Sequence, residues 1–294
     1  MTSGNKKAEG PRPLEQPRGT GDERLDALAR LVAIVDRLRA PDGCPWDLEQ
    51  TVASMAPSLV EEAFEAVEAI DRFEESAGGE TTDDDSIEEL GDLLMVVCLI
   101  AKIASQERRF DIGEVARRVG DKLVRRHPHV FGDVVVDGTE VAIRNWERIK
   151  QAERREKQVD SSALAGVPTA LPALQRAERI VAKSISAGFR WSDAEGALAK
   201  LREEVEELSA VLRESEPDVA RVEEELGDVL LAGAFLGRYL EVDPERAARR
   251  SLRRYERRFR SMEAEVDGSL AEHSLEDLIS AWKRAKQRLS SGEE

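Results

Sequence analysis

The sequence predicts an all-α protein made of two tandem helical halves, and three observations carry that expectation. Aromatic residues are only 4% of the 294 residues and charged ones 35%, with Ala, Leu, Glu and Arg, all good helix formers, among the commonest types. Apolar residues recur at helical spacing through most of the chain. The string EELGDLL at 88–94 returns as EELGDVL at 224–230, so a chain long enough for two domains of about 150 residues carries an internal repeat.

The elements follow in order. Residues 1–22 are polar and contain Pro and Gly but no apolar stretch of the signal-peptide kind, which predicts a disordered tail. Leu25, Leu28, Leu31, Val32 and Val35 share a helical stripe within 24–40, and PDGCPWD (41–47) then stops that helix in a structured loop. A helix over 52–73 sets Leu59, Phe64, Val67 and Ile70 along one side, with Glu61, Glu62, Glu65 and Glu68 beside them. EESAGGETTDDDS (74–86) has no large apolar residue and reads as a flexible acidic loop. A third helix is expected to begin near Ser86, with Glu89 completing a capping box. Its apolar run, Leu93 to Ala101, is far short of the roughly 20 residues that span a bilayer and reads as a buried helix. A fourth helix covers 111–126 and ends at HPHVFGD; VVVDG (134–138) offers at most a short extended piece, and 140–157 is helical again.

Residues 158–175, with Ser, Gly and two prolines, read as a linker between a first domain at 23–157 and a second at 176–288, followed by a tail at 289–294. The second half repeats the plan: a helix, the GFRWSD loop, an acidic helix at 195–213, a short ESEPD turn, the EELGDVL helix, an arginine-rich helix and a terminal helix. Trp46-Asp47 precedes Glu61-Glu62-x-x-Glu65 as Trp191-Ser192-Asp193 precedes Glu203-Glu204-x-x-Glu207. KLVRRH (122–127) matches RYERRF (254–259), and WERIK (146–150) matches WKRAK (282–286).

The net charge of −16 argues against a general nucleic-acid binder or a protein held on an anionic membrane, so a phosphate ligand must be held locally. Two cysteines, Cys44 and Cys98, form no disulfide framework or zinc pattern, and a reducing cytoplasm is the expected setting. No Walker A or Rossmann fingerprint is present.

Glu62 and Glu65 are three apart, as are Glu89 and Asp92, so each pair projects from one face of its helix. If the two helices pack antiparallel, four carboxylates converge and repel unless a cation or protons neutralise them. Mg2+ suits such an all-oxygen site and keeps positions open for water or phosphate. Glu204, Glu207, Glu225 and Asp228 repeat the arrangement. The competing reading is a solvated acidic helix face. Against it, the acids run directly into apolar helix, and Gly91 and Gly227 sit inside the pattern, suggesting close backbone approach or room for a bound group. In RRSLRRYERRFR, Leu252, Tyr255 and Phe259 form an apolar stripe, and Arg250, Arg254, Arg257 and Arg258 an adjacent basic one suited to phosphate or to nearby glutamates. All four tryptophans fall at repeated positions, where packing is the first expectation and stacking on a base the second. His127 and His129 read as loop-packing residues.

These motifs, with CPWDLEQT and RRHPHVF in the first half and LPALQRAERI and GFRW in the second, closely resemble the MazG nucleoside triphosphate pyrophosphohydrolases over roughly residues 24–288. The resemblance implies tandem MazG-like domains of the all-α NTP pyrophosphatase fold, a homodimer, and Mg2+-dependent hydrolysis of NTP to NMP and pyrophosphate, with Mn2+ as a substitute ion. It also implies metal ligands at Glu62, Glu65, Glu89 and Asp92 and at Glu204, Glu207, Glu225 and Asp228. Implied substrate contacts are Lys200, Arg221, Arg254, Arg258, Trp282 and Lys286, with Lys122, Arg126, Trp146 and Lys150 as first-half counterparts. Glu203 or Glu224, beside the ligands, would orient the attacking water. A non-catalytic nucleotide-binding or regulatory helical module is the alternative.

The halves differ. Arg221 lies one helical turn before Glu225, where the first half has Asp85 before Glu89, and the acidic insertion is confined to the first half. The second half is therefore expected to hold the principal NTP site.

Overall fold

The computed structural model describes residues 19–75, 83–156, 160, 162–266 and 269–291. Among them the regular structure is helical, with no strand. In chain order the helices are α1 (Glu23–Leu38), α2 (Pro45–Glu49), α3 (Ala56–Glu75), α4 (Asp84–Gln106), α5 (Ile112–Arg126), α6 (Pro128–Phe131) and α7 (Thr139–Glu156). They continue as α8 (Ala173–Ser186), α9 (Ala194–Leu212), α10 (Val219–Tyr239), α11 (Pro244–Glu263) and α12 (Leu275–Ser291), with a 3-10 turn at Leu270–Glu272 before the last. The chain divides into two compact units, Met1–Lys150 and Gln151–Glu294.

Several expectations move at the boundaries. Ser86 is a buried residue inside the first turn of α4, which begins at Asp84, so the capping box with Glu89 does not form. Asp84 and Asp85 occupy the first turn instead, where carboxylates meet the positive end of the helix dipole. The helix expected from residue 52 starts at Ala56, because Thr51 and Ser54 close a turn by reciprocal side-chain bonds of 3.0 and 3.1 Å. The CPWD and HPHVF segments, read as loops, contain the short helices α2 and α6, each started by Pro at its first position. The helix α8 begins at Ala173, inside the segment read as linker. Most of the acidic loop, residues 76–82, and residues 1–18 of the tail lie outside the described residues.

In the first unit α3 and α4 form a helical hairpin, and α4 also packs against α1 and α5. Its core is Val35, Met55, Val96, Cys98, Leu99 and Ile103. Arg39 is buried and ties the CPWD segment to this core: its Nε donates to Gln106 Oε1 at 2.7 Å, and its Nη1 to the carbonyls of Asp47 and Gln50. In the second unit α9 and α10 form the matching hairpin, α8 packs on α10, and α11 packs on α12, α8 and α10. Three helices start on an aspartate N-cap: Asp193 accepts from the Gly196 amide, Asp218 from Ala220 and Asp243 from Arg246. These caps fix where α9, α10 and α11 begin, and hence the register at which their acidic and basic residues meet.

Candidate metal and nucleotide site

Each hairpin brings its acidic residues together. In the first unit, Arg72 near the end of α3 reaches Asp85 in the first turn of α4 at 3.5 Å, as the hairpin of the two helices allows. Carboxylate oxygens of Glu62, Glu89 and Asp92 then lie within 4.8 Å of one another. Glu65 acts on the same group, raising the pKa of both Glu62 and Glu89 by its charge. For both of those residues burial is the larger cause, and Asp92 contributes as a like charge.

In the second unit the gathered oxygens belong to Glu204, Glu207 and Glu225, again within 4.8 Å. Glu204 is only 7% exposed. The Glu207 carboxyl sits above the usual carboxylate range, first because it shares a hydrogen bond with Glu204, then through burial and the Glu204 charge. Lys200 bridges Glu204 at 2.8 Å and Glu203 at 2.7 Å, and both carboxylates hold it firmly protonated. Asp228 and Glu204 stand with Lys200 at the edge of a cavity of about 180 Å3 whose other walls are Phe189, Trp191, Ala197, Leu231, Ala232 and Phe235.

The remaining sequence-predicted residues are distributed as follows. Arg221 is engaged by Glu214 at 2.7 Å, although Glu225 also acts on it electrostatically, and Asp85 is compensated by Arg72, so the contrast between these two positions is weaker than their charges suggest. Glu224 is exposed on α10. Arg254 donates to Ser251 Oγ at 2.7 Å, and Arg258 is half-buried on the same helix. Trp282 belongs to a separate small core with Met262, Ala281, Ala285 and Phe259, its ring 5.0 Å from that of Tyr255. Lys286 lines a shallow depression with Lys283, Gln287 and Ser290. Among the described residues, none of Arg254, Arg258, Trp282 and Lys286 lines the cavity beside Glu204. In the first unit Arg126 and Lys150 both lie over the Trp146 ring, 5.6 and 4.7 Å from its centroid, while Lys122 is exposed on α5. Among the described residues a Cβ added at Gly91 or Gly227 would meet nothing within 4 Å, so neither glycine serves a close backbone approach within its own unit there.

Sequence reasoning missed the aromatic cavity. Phe235 lies in an apolar run that reads as ordinary core, and Phe189 in a short loop. The signal available was that Phe235 comes two turns after Asp228 on the same helix, and so close to the same face.

Two helical hairpins, each presenting carboxylates from both of its helices, define an all-α protein with an acidic cluster in each unit. The profile of the MazG nucleotide pyrophosphohydrolase domain matches residues 50–131 and 193–262, one segment in each unit. The Escherichia coli (strain K12) nucleoside triphosphate pyrophosphohydrolase is 38% identical over 270 residues, covering 90% of this chain and 98% of that one. The Thermotoga maritima nucleoside triphosphate pyrophosphohydrolase/pyrophosphatase MazG is 40% identical over 259 residues, covering 87% of this chain and 94% of that one. A Mycobacterium tuberculosis nucleoside triphosphate pyrophosphohydrolase is 34% identical over 169 residues, 57% of this chain and 47% of its own length. The chain belongs to the MazG nucleotide pyrophosphohydrolase family, as the resemblance in its motifs led one to expect.

Proposed function

We propose that this protein hydrolyses nucleoside triphosphates, deoxy and non-standard forms included, to nucleoside monophosphate and pyrophosphate, and so acts in nucleotide-pool control. The observation that carries the reading is the pair of carboxylate clusters, Glu62, Glu89 and Asp92 in the first unit and Glu204, Glu207 and Glu225 in the second, in a chain of this family.

A divalent cation fits the residues present. The donors are all carboxylate oxygens gathered within 4.8 Å of one another, one of them on the buried Glu204, and like charges held that close favour a cation between them. In this reading Mg2+, with Mn2+ as substitute, is held by Glu204, Glu207, Glu225 and Asp228, and in the first unit by Glu62, Glu65, Glu89 and Asp92. When bound, the ion supplies neutralisation of phosphate charge and a lower pKa for water. The chain's own residues do the rest. Lys200 offers its ammonium to a phosphate oxygen from its position between Glu203 and Glu204. Arg221, Arg254, Arg258, Trp282 and Lys286 complete the substrate contacts, with Lys122, Arg126, Trp146 and Lys150 as counterparts. Glu203 or Glu224 orients water for in-line attack at the α-phosphorus, which expels pyrophosphate.

The reading includes a homodimer, supported by the exposed apolar faces of the hairpins, and a cytoplasmic location, supported by two cysteines that form no disulfide. Domain limits of 23–157 and 176–288 belong to it as well. Among the described residues no helix is long and apolar enough to cross a membrane. Incubation with a panel of NTPs and dNTPs in Mg2+, followed by chromatography of the products, tests the proposal. NMP and pyrophosphate are expected. Appearance of NDP and orthophosphate would refute the chemistry, and binding without turnover would favour a regulatory module.

A further inference from the structure

The loop between α8 and α9, residues 187–193, brings Trp191 to the wall of the cavity beside Glu204 and Lys200. The two ends of this loop are tied locally. The amides of Gly188 and Phe189 donate back to the carbonyls of Ile185 and Ser184 at 3.0 and 2.9 Å, and Asp193 caps α9. The middle is held from a distance: Tyr239, the last residue of α10, donates its hydroxyl to the Trp191 carbonyl at 3.1 Å. Among the described residues that is the only hydrogen bond joining residues 189–192 to α10.

Phe235 and Tyr239 are one helical turn apart and share a face of α10. Phe235 meets the indole of Trp191 edge-on at 4.9 Å, and Tyr239 grips the main chain of the same residue. On its other side the indole lies against the start of α9, where a Cβ at Gly196 would stand 3.1 Å from Trp191 Cδ1. Trp191 is thus wedged between the helix that carries Lys200 and Glu204 and the helix that carries Glu225 and Asp228. Tyr239 itself is not among the residues that wall the cavity, so whatever it does there it does through Trp191.

The first unit is built differently. In the registers that match the acidic motifs, Ala197, Phe235 and Tyr239 correspond to Met55, Leu99 and Ile103, all buried in the first unit's core, and Lys200 to Ser58. There the segment that carries Trp46 is tied down by Arg39, which donates to the carbonyls of Asp47 and Gln50. The hydroxyl anchor on the tryptophan loop belongs to the second unit.

We propose that Tyr239 is a positioning residue for substrate binding: its hydroxyl holds the Trp191 main chain so that the indole already stands at the cavity wall when the triphosphate arrives. The proposal rests on the proposed hydrolysis for its substrate. Without the hydroxyl the loop leaves this position part of the time, and apparent affinity falls by the fraction of molecules in which the indole is in place. Bound substrate selects the positioned loop, so the chemical step is unaltered.

Steady-state kinetics on ATP with Mg2+ compare the wild type with Tyr239→Phe, Trp191→Ala and the double variant. Tyr239→Phe keeps the ring and removes one hydrogen bond of ordinary strength, so KM should rise about fivefold with kcat within about 1.5-fold. Trp191→Ala should raise KM at least as much. In that background Tyr239→Phe should change KM by less than about 1.5-fold, because the hydroxyl has lost the ring it positions. Tyr255→Phe makes the same change at the other tyrosine and should leave KM unaltered. A purely structural role would instead lower Tm and add to the effect of Trp191→Ala. The proposal is overturned by an unchanged KM in Tyr239→Phe or in Trp191→Ala, by a fall in kcat in place of the rise in KM, by an undiminished effect of Tyr239→Phe in the Trp191→Ala background, or by an equal rise in KM for Tyr255→Phe. Calorimetric titration with α,β-methylene-ATP, which cannot release pyrophosphate, separates this proposal from the hydrolysis. If no NTP is hydrolysed but the analogue binds about fivefold more weakly to Tyr239→Phe, and not to Tyr255→Phe, the hydrolysis fails and the positioning role stands. If hydrolysis proceeds and neither KM nor the analogue's Kd responds to Tyr239→Phe, the positioning role falls and the hydrolysis stands. Absence of both turnover and analogue binding overturns both.

Discussion

At the residue scale, the carboxylates were legible in the sequence because their three-residue spacing occurs twice in each half, and a duplicated pattern is hard to attribute to a solvated face. Glu204 is buried while its neighbours Glu203, Val205 and Glu206 on α9 are exposed, so it is set apart from the solvated charges around it. Glu225→Gln and Asp228→Asn are expected to lower kcat/KM at least about a hundredfold with an unchanged far-UV circular dichroism spectrum, because each removes a charge from the proposed ligand set while keeping nearly the same side-chain volume. Full activity in either variant at limiting Mg2+ would count against the ligand assignment. The cluster also sets a pH dependence. Glu62, Glu89 and Glu207 have raised pKa values, so the folded protein without metal holds protons that the unfolded chain gives up. Their contribution to stability is present below the ordinary value of 4.5 and lost as pH rises through the raised values, whereas a bound cation replaces those protons. Mg2+ should therefore raise Tm little at about pH 4.5 and more at about pH 7.5, measured by differential scanning fluorimetry. An increment independent of pH would contradict it. Of the rings lining the cavity, Trp191 was singled out with packing first and base stacking second, whereas Phe189 and Phe235 were not, since an aromatic in an apolar helix and one in a short loop look the same whether they pack or bind.

At the scale of the element, both hairpins leave apolar faces uncovered. On the first unit Val60, Phe64 and Val67 of α3 and Ile87, Leu90 and Leu94 of α4 are all exposed, at spacings of three and four that place them along one side of each helix. Gly91 shares the α4 stripe and has open space over its Cα, as does Gly227 beside Leu226 and Leu230 on α10. A glycine in mid-helix costs about 1 kcal/mol relative to Ala, and one in an apolar exposed stripe gives a second helix room to approach. The corresponding positions of the second unit are more polar: Val60, Phe64 and Ile87 are matched by Arg202, Glu206 and Glu223. In the proposed homodimer the first hairpin is therefore expected to be the stronger contributor. Phe64→Glu together with Leu90→Glu should weaken self-association at least thirtyfold, by more than about 2 kcal/mol, because a central apolar contact is replaced by unpaired charge. Light scattering at micromolar concentration should then give a monomer mass, and an unchanged dimer mass would locate the interface elsewhere. The helices themselves were readable to within a few residues. Their ends were not, where local turns such as Thr51–Ser54, or the dipole at Asp84, override the apolar pattern.

For the whole molecule, the duplication was legible from one repeated heptapeptide, but the unequal fate of its two copies needed the structure. The sequence suggested that Arg221 against Asp85 distinguishes them; in the structure Glu214 holds Arg221 and Arg72 offsets Asp85, so that pair decides little. What distinguishes them lies one helical turn before the acidic motif and two turns beyond it. The second unit has Lys200 on its cluster and an aromatic cavity beside it, whereas the first has Ser58, and core side chains Met55 and Leu99 at the cavity positions. A carboxylate cluster without a neighbouring ammonium still attracts a cation, but it offers less to a phosphate chain bearing roughly four negative charges. We accordingly propose that the principal NTP site lies in the second unit. Glu204→Ala with Glu207→Ala should lower kcat/KM by more than about a hundredfold on every NTP tested, while Glu62→Ala with Glu65→Ala should lower it by less than about fivefold. Both pairs remove two acids from one helix, so a general effect of lost charge would strike them equally. If the first-unit pair loses most of the activity and the second-unit pair keeps it, the assignment is reversed.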